Sequence, residues 1–227
     1  MNKDFKVVSD LAESWTVSDD GKTFTFNLRS GVKWHDGKPF SAEDVKFTYE
    51  LMLNKDNRAG SSHWLYYGYI EGAAAYRAGK ADSIKGLEVL GPAKIRIRLN
   101  APYAAFLTVS AAQPIVPKHI LDKGPDELRD NAVGTGPFTI DWADKQRGIG
   151  YVRNPDYWGT DQEARPLPYL DSMELNTVKD STQQLALFRG GQIDVWPMWP
   201  AMEVSTAKAI KDQLGDAIYV DPIQLDA

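Results

Sequence analysis

The 227-residue chain is long enough for one large domain or two small ones, and its 43% hydrophobic and 25% charged content excludes wholesale disorder. A net charge of −5, with Lys and Arg scattered among acids, argues against a phosphate-backbone partner, which needs clustered cations. The lack of cysteine excludes disulfides, thiolate zinc sites and a cysteine nucleophile, and no apolar run approaches the ~18 residues of a membrane span.

Met1 to Phe5 carries no apolar signal core, so either the chain is cytoplasmic or an exported precursor's start has been removed. Trp15 and Val17 then alternate with polar residues, Ser18 to Lys22 contains Asp20-Gly21, and Phe24, Phe26 and Leu28 alternate again. Asp-Gly between alternating runs predicts a β-hairpin, with Phe24, Phe26 and Leu28 facing a core and Thr25 and Asn27 facing away. Ser41-Ala42-Glu43-Asp44 reads as a capping box opening a helix to about Leu53, with Val45, Tyr49 and Met52 on one face.

Residues 54–66 read as a loop, and Glu71 to Ala78 as a helix stopped by Gly79. A second hairpin follows, with Leu87 and Val89, a turn at Gly91 to Lys94, then Ile95, Ile97 and Leu99. Ala101 opens a short helix through Val109, and Pro114 and Pro117 break what comes next.

In the second half, Gly134 to Phe138 is a turn leading into a strand, and Ile149 to Val152 and Met173 to Val178 are strands. Ser181 to Gln184 reads as a capping box whose helix continues to Arg189 and stops at Gly190-Gly191. Ile193 to Trp196 returns as a strand, completing a compact βαβ unit. A helix over about Glu203 to Leu214 and a strand at Ile218 to Val220 repeat the alternation. The first half is therefore expected to be α+β with antiparallel hairpins, and the second α/β.

Catalytic chemistry has little to stand on. His35, His63 and His119 have no second ligand at metal spacing. Gly134-Thr135-Gly136 lacks both the Lys-Ser/Thr of a P-loop and the later glycine of a dinucleotide fingerprint. Asp19-Asp20 lies in a turn, and Glu43-Asp44 lies in a first helical turn, where acids suit the dipole. No Gly-x-Ser-x-Gly elbow is present. The unusual feature is aromatic density, in His63 to Tyr69 and in Trp196-Pro197-Met198-Trp199-Pro200. Core packing accounts for most single aromatics, but Pro197 and Pro200 keep the second cluster out of regular structure. A loop just beyond a strand's carboxyl end is where open α/β sheets bind ligands.

Several segments carry a resemblance. Leu11 to Trp15, Gly21 to Arg29 and Gly31 to Val45 closely resemble the signature of solute-binding protein family 5, which includes the oligopeptide-, dipeptide- and nickel-binding proteins of ABC importers. Pro114 to Ile120, Gly134 to Phe138, Arg153 to Trp158 and Gly190 to Val195 look like family landmarks in family order. Tyr67 to Lys80 looks most like the oligopeptide-binding branch.

The resemblance implies a mixed α/β, two-lobed periplasmic-binding-protein fold of which this chain is a truncated piece. Residues 1–117 would be the small α+β subdomain and residues 118–227 a partial α/β first lobe. It implies a non-enzymatic component of an ABC importer that captures peptides in the periplasm and delivers them to the permease subunits. A carrier of an oligosaccharide, an opine-like compound or a nickel complex is the alternative. No cofactor, nucleic-acid partner or membrane span is expected. An unpaired sheet edge in the second segment could let copies self-associate. The expected ligand-facing residues are Trp196, Met198 and Trp199, with Trp64 and Ser110. Two departures bear on the ligand. Oligopeptide binders carry a polar, Asn-containing stretch where Trp196 to Trp199 stands, and a tyrosine is expected near Ser61.

Overall fold

The structure, a computed structural model, describes residues 6–56, 60–124, 127–130, 132–195, 208, 210–213 and 215. The chain divides into two compact units, Met1–Leu175 and Asn176–Ala227. The expected division between residues 117 and 118 lies within the first.

The first unit opens with β1 (Ala12–Val17) and β2 (Thr23–Leu28), joined by the expected Asp-Gly turn. Gly21 has φ of +65° there, a conformation L side chains rarely adopt. Asp20 locks the turn, with its carboxylate accepting from the Lys22 N–H at 3.1 Å. Helix α1 (Ala42–Leu53) follows. The Asp44 carboxylate accepts from the Ser41 N–H at 2.9 Å, which satisfies a donor at the helix start. The same carboxylate accepts from the Lys118 N–H at 3.1 Å, tying α1 to a segment 74 residues away.

Next come α2 (Gly60–Tyr67) and α3 (Ala73–Arg77), then the hairpin of β3 (Leu87–Gly91) and β4 (Lys94–Arg98). The short helices α4 (Phe106–Ala111), α5 (Lys118–Leu121) and α6 (Glu127–Asp130) precede β5 (Phe138–Asp144), β6 (Gly148–Arg153) and β7 (Ser172–Asn176). In the second unit, α7 spans Ser181–Arg189, and residues 208 and 210–213 are helical.

Two sheets result. The first has strand order β1-β2-β4-β3, and all three pairings are antiparallel. In its register Phe24 lies opposite Ile97 and Phe26 opposite Ile95. One face of this sheet carries the core. Phe24, Leu28, Leu87, Ile95 and Ile97 are buried with Val45, Tyr49 and Met52 of α1 and Phe106 of α4. Rings knit the layers together: Phe24 and Phe106 lie 4.8 Å apart, and Tyr49 meets Tyr67 edge-on at 5.0 Å. The second sheet has order β5-β6-β7. Here Trp142 of β5 lies on Gly150 of β6, where an added Cβ would come within 2.0 Å of the indole nitrogen. The Arg147 guanidinium stacks 4.0 Å from the same indole's centroid.

His35 joins the Trp34 turn to the Gly134-Thr135-Gly136 segment. Its Nδ1 accepts from the Gly134 N–H at 3.1 Å, which leaves Nε2–H to donate to the Gly136 carbonyl at 3.0 Å. The His35 N–H also donates to the Gly134 carbonyl at 2.9 Å. Asn154 donates to the same Gly136 carbonyl at 3.0 Å.

Four expectations need correction. Residues 60–67 form α2 rather than loop, because burying Tyr67 against Tyr49 and Phe106 outweighs the weak helix propensity of Gly60, Ser61 and Ser62. Helix α4 starts at Phe106, five residues later than expected, after a turn through Tyr103. The cap of α7 is Asp180, whose carboxylate accepts from the Gln183 N–H at 2.7 Å, and Ser181 is the first helical residue. Ile193 to Val195 is not a strand, so the returning arm of the expected βαβ unit is absent there. Trp196, most of residues 203–214 and the strand expected at 218–220 lie outside the described residues.

Candidate functional site

Helix α4 places the site. Its sequence Phe106-Leu107-Thr108-Val109-Ser110-Ala111 turns Phe106 fully into the core, and Leu107, Ser110 and Ala111 share a neighbouring stripe at helical spacing. That stripe lines a cavity of about 130 Å³. Phe26, Ile95 and Ile97 of the sheet line it too, with Val45 and Tyr49 of α1. Val7, Val8, Leu11 and Trp15 line it from the N-terminal side, and Val8 is among the exposed apolar residues there.

Within this apolar space sits a small group of hydroxyls. Burial pushes the Tyr49 phenol up to about 12, against a lowering contribution from the Ser110 hydroxyl. The Ser110 hydroxyl thus lies near the Tyr49 phenol, and its buried Oγ makes no hydrogen bond among the described residues. Beside them, Tyr67 donates to the Val109 carbonyl at 3.0 Å and lies 3.4 Å from Gln113 Oε1. Burial raises the Tyr67 phenol strongly as well. Gln113 also lines the cavity. The charged residue of the lining is Asp10.

Ser110 thus lines a cavity, and Trp64 does not line that one. Trp64 is half-buried on α2, with its ring against Gly68 and the Arg77 guanidinium 5.5 Å from its centroid. The two residues lie on helices that pack together, α2 and α4. Trp196, Met198 and Trp199 lie outside the described residues. Sequence reasoning did not single out Tyr49 or Gln113 as site residues. Ser110 was the expected ligand-facing residue that falls in this corner.

A second concavity lies on the first sheet's other face, lined by Thr16, Thr23, Thr25, Arg96 and Arg98. Its cations are already engaged. Arg98 pairs with Glu88 at 2.7 Å and Glu71 at 3.1 Å, and Arg96 pairs with Glu88 at 3.1 Å. The Arg98 hydrogen bond, ahead of Arg96, holds Glu88 below the usual carboxylate range, and Lys85 and Arg98 do the same for Glu71.

Comparison with known proteins places these features in a family. The chain is 31% identical over 219 residues to the dipeptide-binding protein of Escherichia coli K12, covering 91% of this chain and 39% of that protein. Its fold matches that of Haemophilus influenzae OppA in complex with RPPGFSPFR, with a TM-score of 0.77 at 24% identity over 91% of this chain and 40% of that one. It also matches NikZ from Campylobacter jejuni in complex with Ni(L-His), with a TM-score of 0.64 at 29% identity over 82% of this chain and 34% of that one. The chain therefore spans between a third and two fifths of the length of these relatives. These neighbours are two-lobed periplasmic binding proteins. The profile described as "Bacterial extracellular solute-binding proteins, family 5 Middle" matches residues 6–224, and this chain belongs to that family.

Proposed function

We propose that the chain is part of the substrate-capturing component of an ABC importer, that it works in the periplasm, and that its substrate is a peptide handed on to permease subunits. The observation that carries the reading is the 31% identity to a dipeptide-binding protein along nearly the whole of this chain. The architecture agrees with it, because an apolar wall with a few placed hydroxyls suits the side chains of a ligand. In this reading the chain performs no catalysis. Trp196, Met198, Trp199, Trp64 and Ser110 line the ligand-facing side, residues 1–117 act as the small subdomain, and residues 118–227 contribute to a lobe. The end strands of the second sheet, β5 and β7, are the edges through which copies would self-associate.

A second reading has its own support. The 29% identity to a protein holding Ni(L-His) favours a nickel complex as cargo. Native mass spectrometry of the purified protein, with identification of what it releases on denaturation, separates the two. Released peptides support the first reading. A nickel–histidine complex, a saccharide or an opine overturns the peptide assignment and leaves the family standing.

A further inference from the structure

The α4 cavity differs from an ordinary packing gap in two ways. At about 130 Å³ it is close in size to the engineered cavity of about 150 Å³ that takes up benzene. Unlike a dry gap, it holds a polar corner, where Ser110 Oγ is buried with no partner among the described residues and the Tyr49 phenol stands beside it. A buried hydroxyl without a partner carries an uncompensated desolvation penalty, so a group that supplies one gains what the empty corner lacks. A hydroxyl both donates and accepts, so another hydroxyl satisfies it in either sense, and the mostly apolar lining disfavours a charged partner. Asp10 is the charged residue among the described lining residues, so a carboxylate entering there meets no cation among them.

The geometry points to this cavity as a binding site for a single phenol-sized group: an apolar ring whose hydroxyl reaches Ser110 and Tyr49. The ring lies between Phe26 and Ile95 on the sheet and Leu107 on α4. Val7, Val8 and Trp15 form its N-terminal wall, where Val8 is exposed. The group arrives either as a free small phenol or as a tyrosine side chain of a larger ligand. The second source rests on the peptide reading proposed above; the first does not.

The test uses the 227-residue chain and four probes: p-cresol, toluene, benzoate and the dipeptide Ala-Tyr, with Ala-Ala as control. Binding is read by saturation-transfer NMR and by the shift in melting temperature. The expected result is that p-cresol binds about fivefold more tightly than toluene, the worth of one net hydrogen bond, and that benzoate does not bind. Ser110→Ala should bring p-cresol and toluene to equal affinity without loss of the toluene signal. A bulkier Leu107→Trp should abolish both signals. If Leu107→Trp fails to fold, Ser110→Ala alone still decides, because the p-cresol to toluene ratio needs no other variant. Competition of Ala-Tyr, but not Ala-Ala, with p-cresol assigns the group to a ligand side chain. Binding of p-cresol with no competition assigns it to a free phenol and counts against the peptide reading alone. Absence of p-cresol binding at millimolar concentration, or a p-cresol to toluene ratio that Ser110→Ala leaves unchanged, overturns the site.

Discussion

The two sheets of the first unit share an alternating sequence pattern and differ in what covers them. On β1-β2-β4-β3 the core-facing positions of the central strands β2 and β4 pack with residues of α1 and α4, leaving Ile95 fully buried and Ile97 1% exposed. On β5-β6-β7 Phe138, Trp142, Ile149 and Tyr151 are only half-buried, and other apolar positions stay in solvent. Ile140 is 39% exposed and Leu175 52%, and every residue of β7 is exposed. Alternation sets which residues share a face. It does not say whether a second layer exists to bury that face, and the burial, not the strand, carries the free energy.

The sharpest way to break this contrast is a pair of truncations. Ile97→Ala should cost about 2–5 kcal/mol of unfolding free energy, because it deletes buried methylenes and leaves a cavity. Urea denaturation measures it, and a cost below ~1 kcal/mol would show that the first sheet is not the stability core. Somewhat smaller is Asp44→Ala, which strands the N–H groups of Ser41 and Lys118 and should cost about 1–3 kcal/mol. Asp44→Asn should recover part of that loss, since one carbonyl oxygen remains. Below it stands His35→Ala, expected at about 1–2 kcal/mol with faster hydrogen exchange at the Gly134 amide. Unchanged exchange there would remove His35 as the link between its two segments.

The effect of acid should be smaller. Asp36 has its pKa raised by burial, but hydrogen bonds from His119 and the Lys38 N–H outweigh that and hold it below its ordinary 3.8. Glu71, held by Lys85 and Arg98, lies below its ordinary 4.5. Depressed carboxylates stabilise the fold at pH above their unfolded values, and that contribution is lost as pH falls through the folded ones. These two carboxylates should therefore make the melting temperature decline as pH falls below about 4. Glu71→Gln should shallow that decline, and an identical acid slope in the variant would discount the pair. The smallest effect should come from the other sheet. Leu175→Ala is expected to change stability by less than about 0.5 kcal/mol, and a cost rivalling Ile97→Ala would erase the contrast between the sheets.

Much of the first sheet was legible in the chain. Asp20-Gly21 marked one hairpin, the alternation from Leu87 to Leu99 marked the other, and Ser41 with Asp44 marked the start of α1. Helix α2 was not legible, because Gly60, Ser61 and Ser62 argue locally against helix and the deciding contacts, from Tyr67 to Tyr49 and Phe106, come from distant segments. Asp180 was missed as a cap because Ser181 fits the same motif one residue later. The pairing of β5 with β6 was hidden too, since Trp142 over Gly150 is a cross-strand contact with no signature in either strand alone. The family was readable from its landmark segments. The cavity was not, because its lining is gathered from the N-terminal stretch, three strands and two helices, and no one of those segments carries a signature of it.

The His35 junction has a kinetic consequence. Its ring closes a stretch of about 100 residues onto Gly134 and Gly136. Closing so long a loop costs roughly 4 kcal/mol of chain entropy by the logarithmic rule, before any contact rewards it. The local hairpins face no such delay, so the junction should assemble after the folding transition state. Its hydrogen bonds then act as a brake on the way out: their removal should steepen neither the refolding rate nor its denaturant dependence, and should instead shorten the lifetime of the native state.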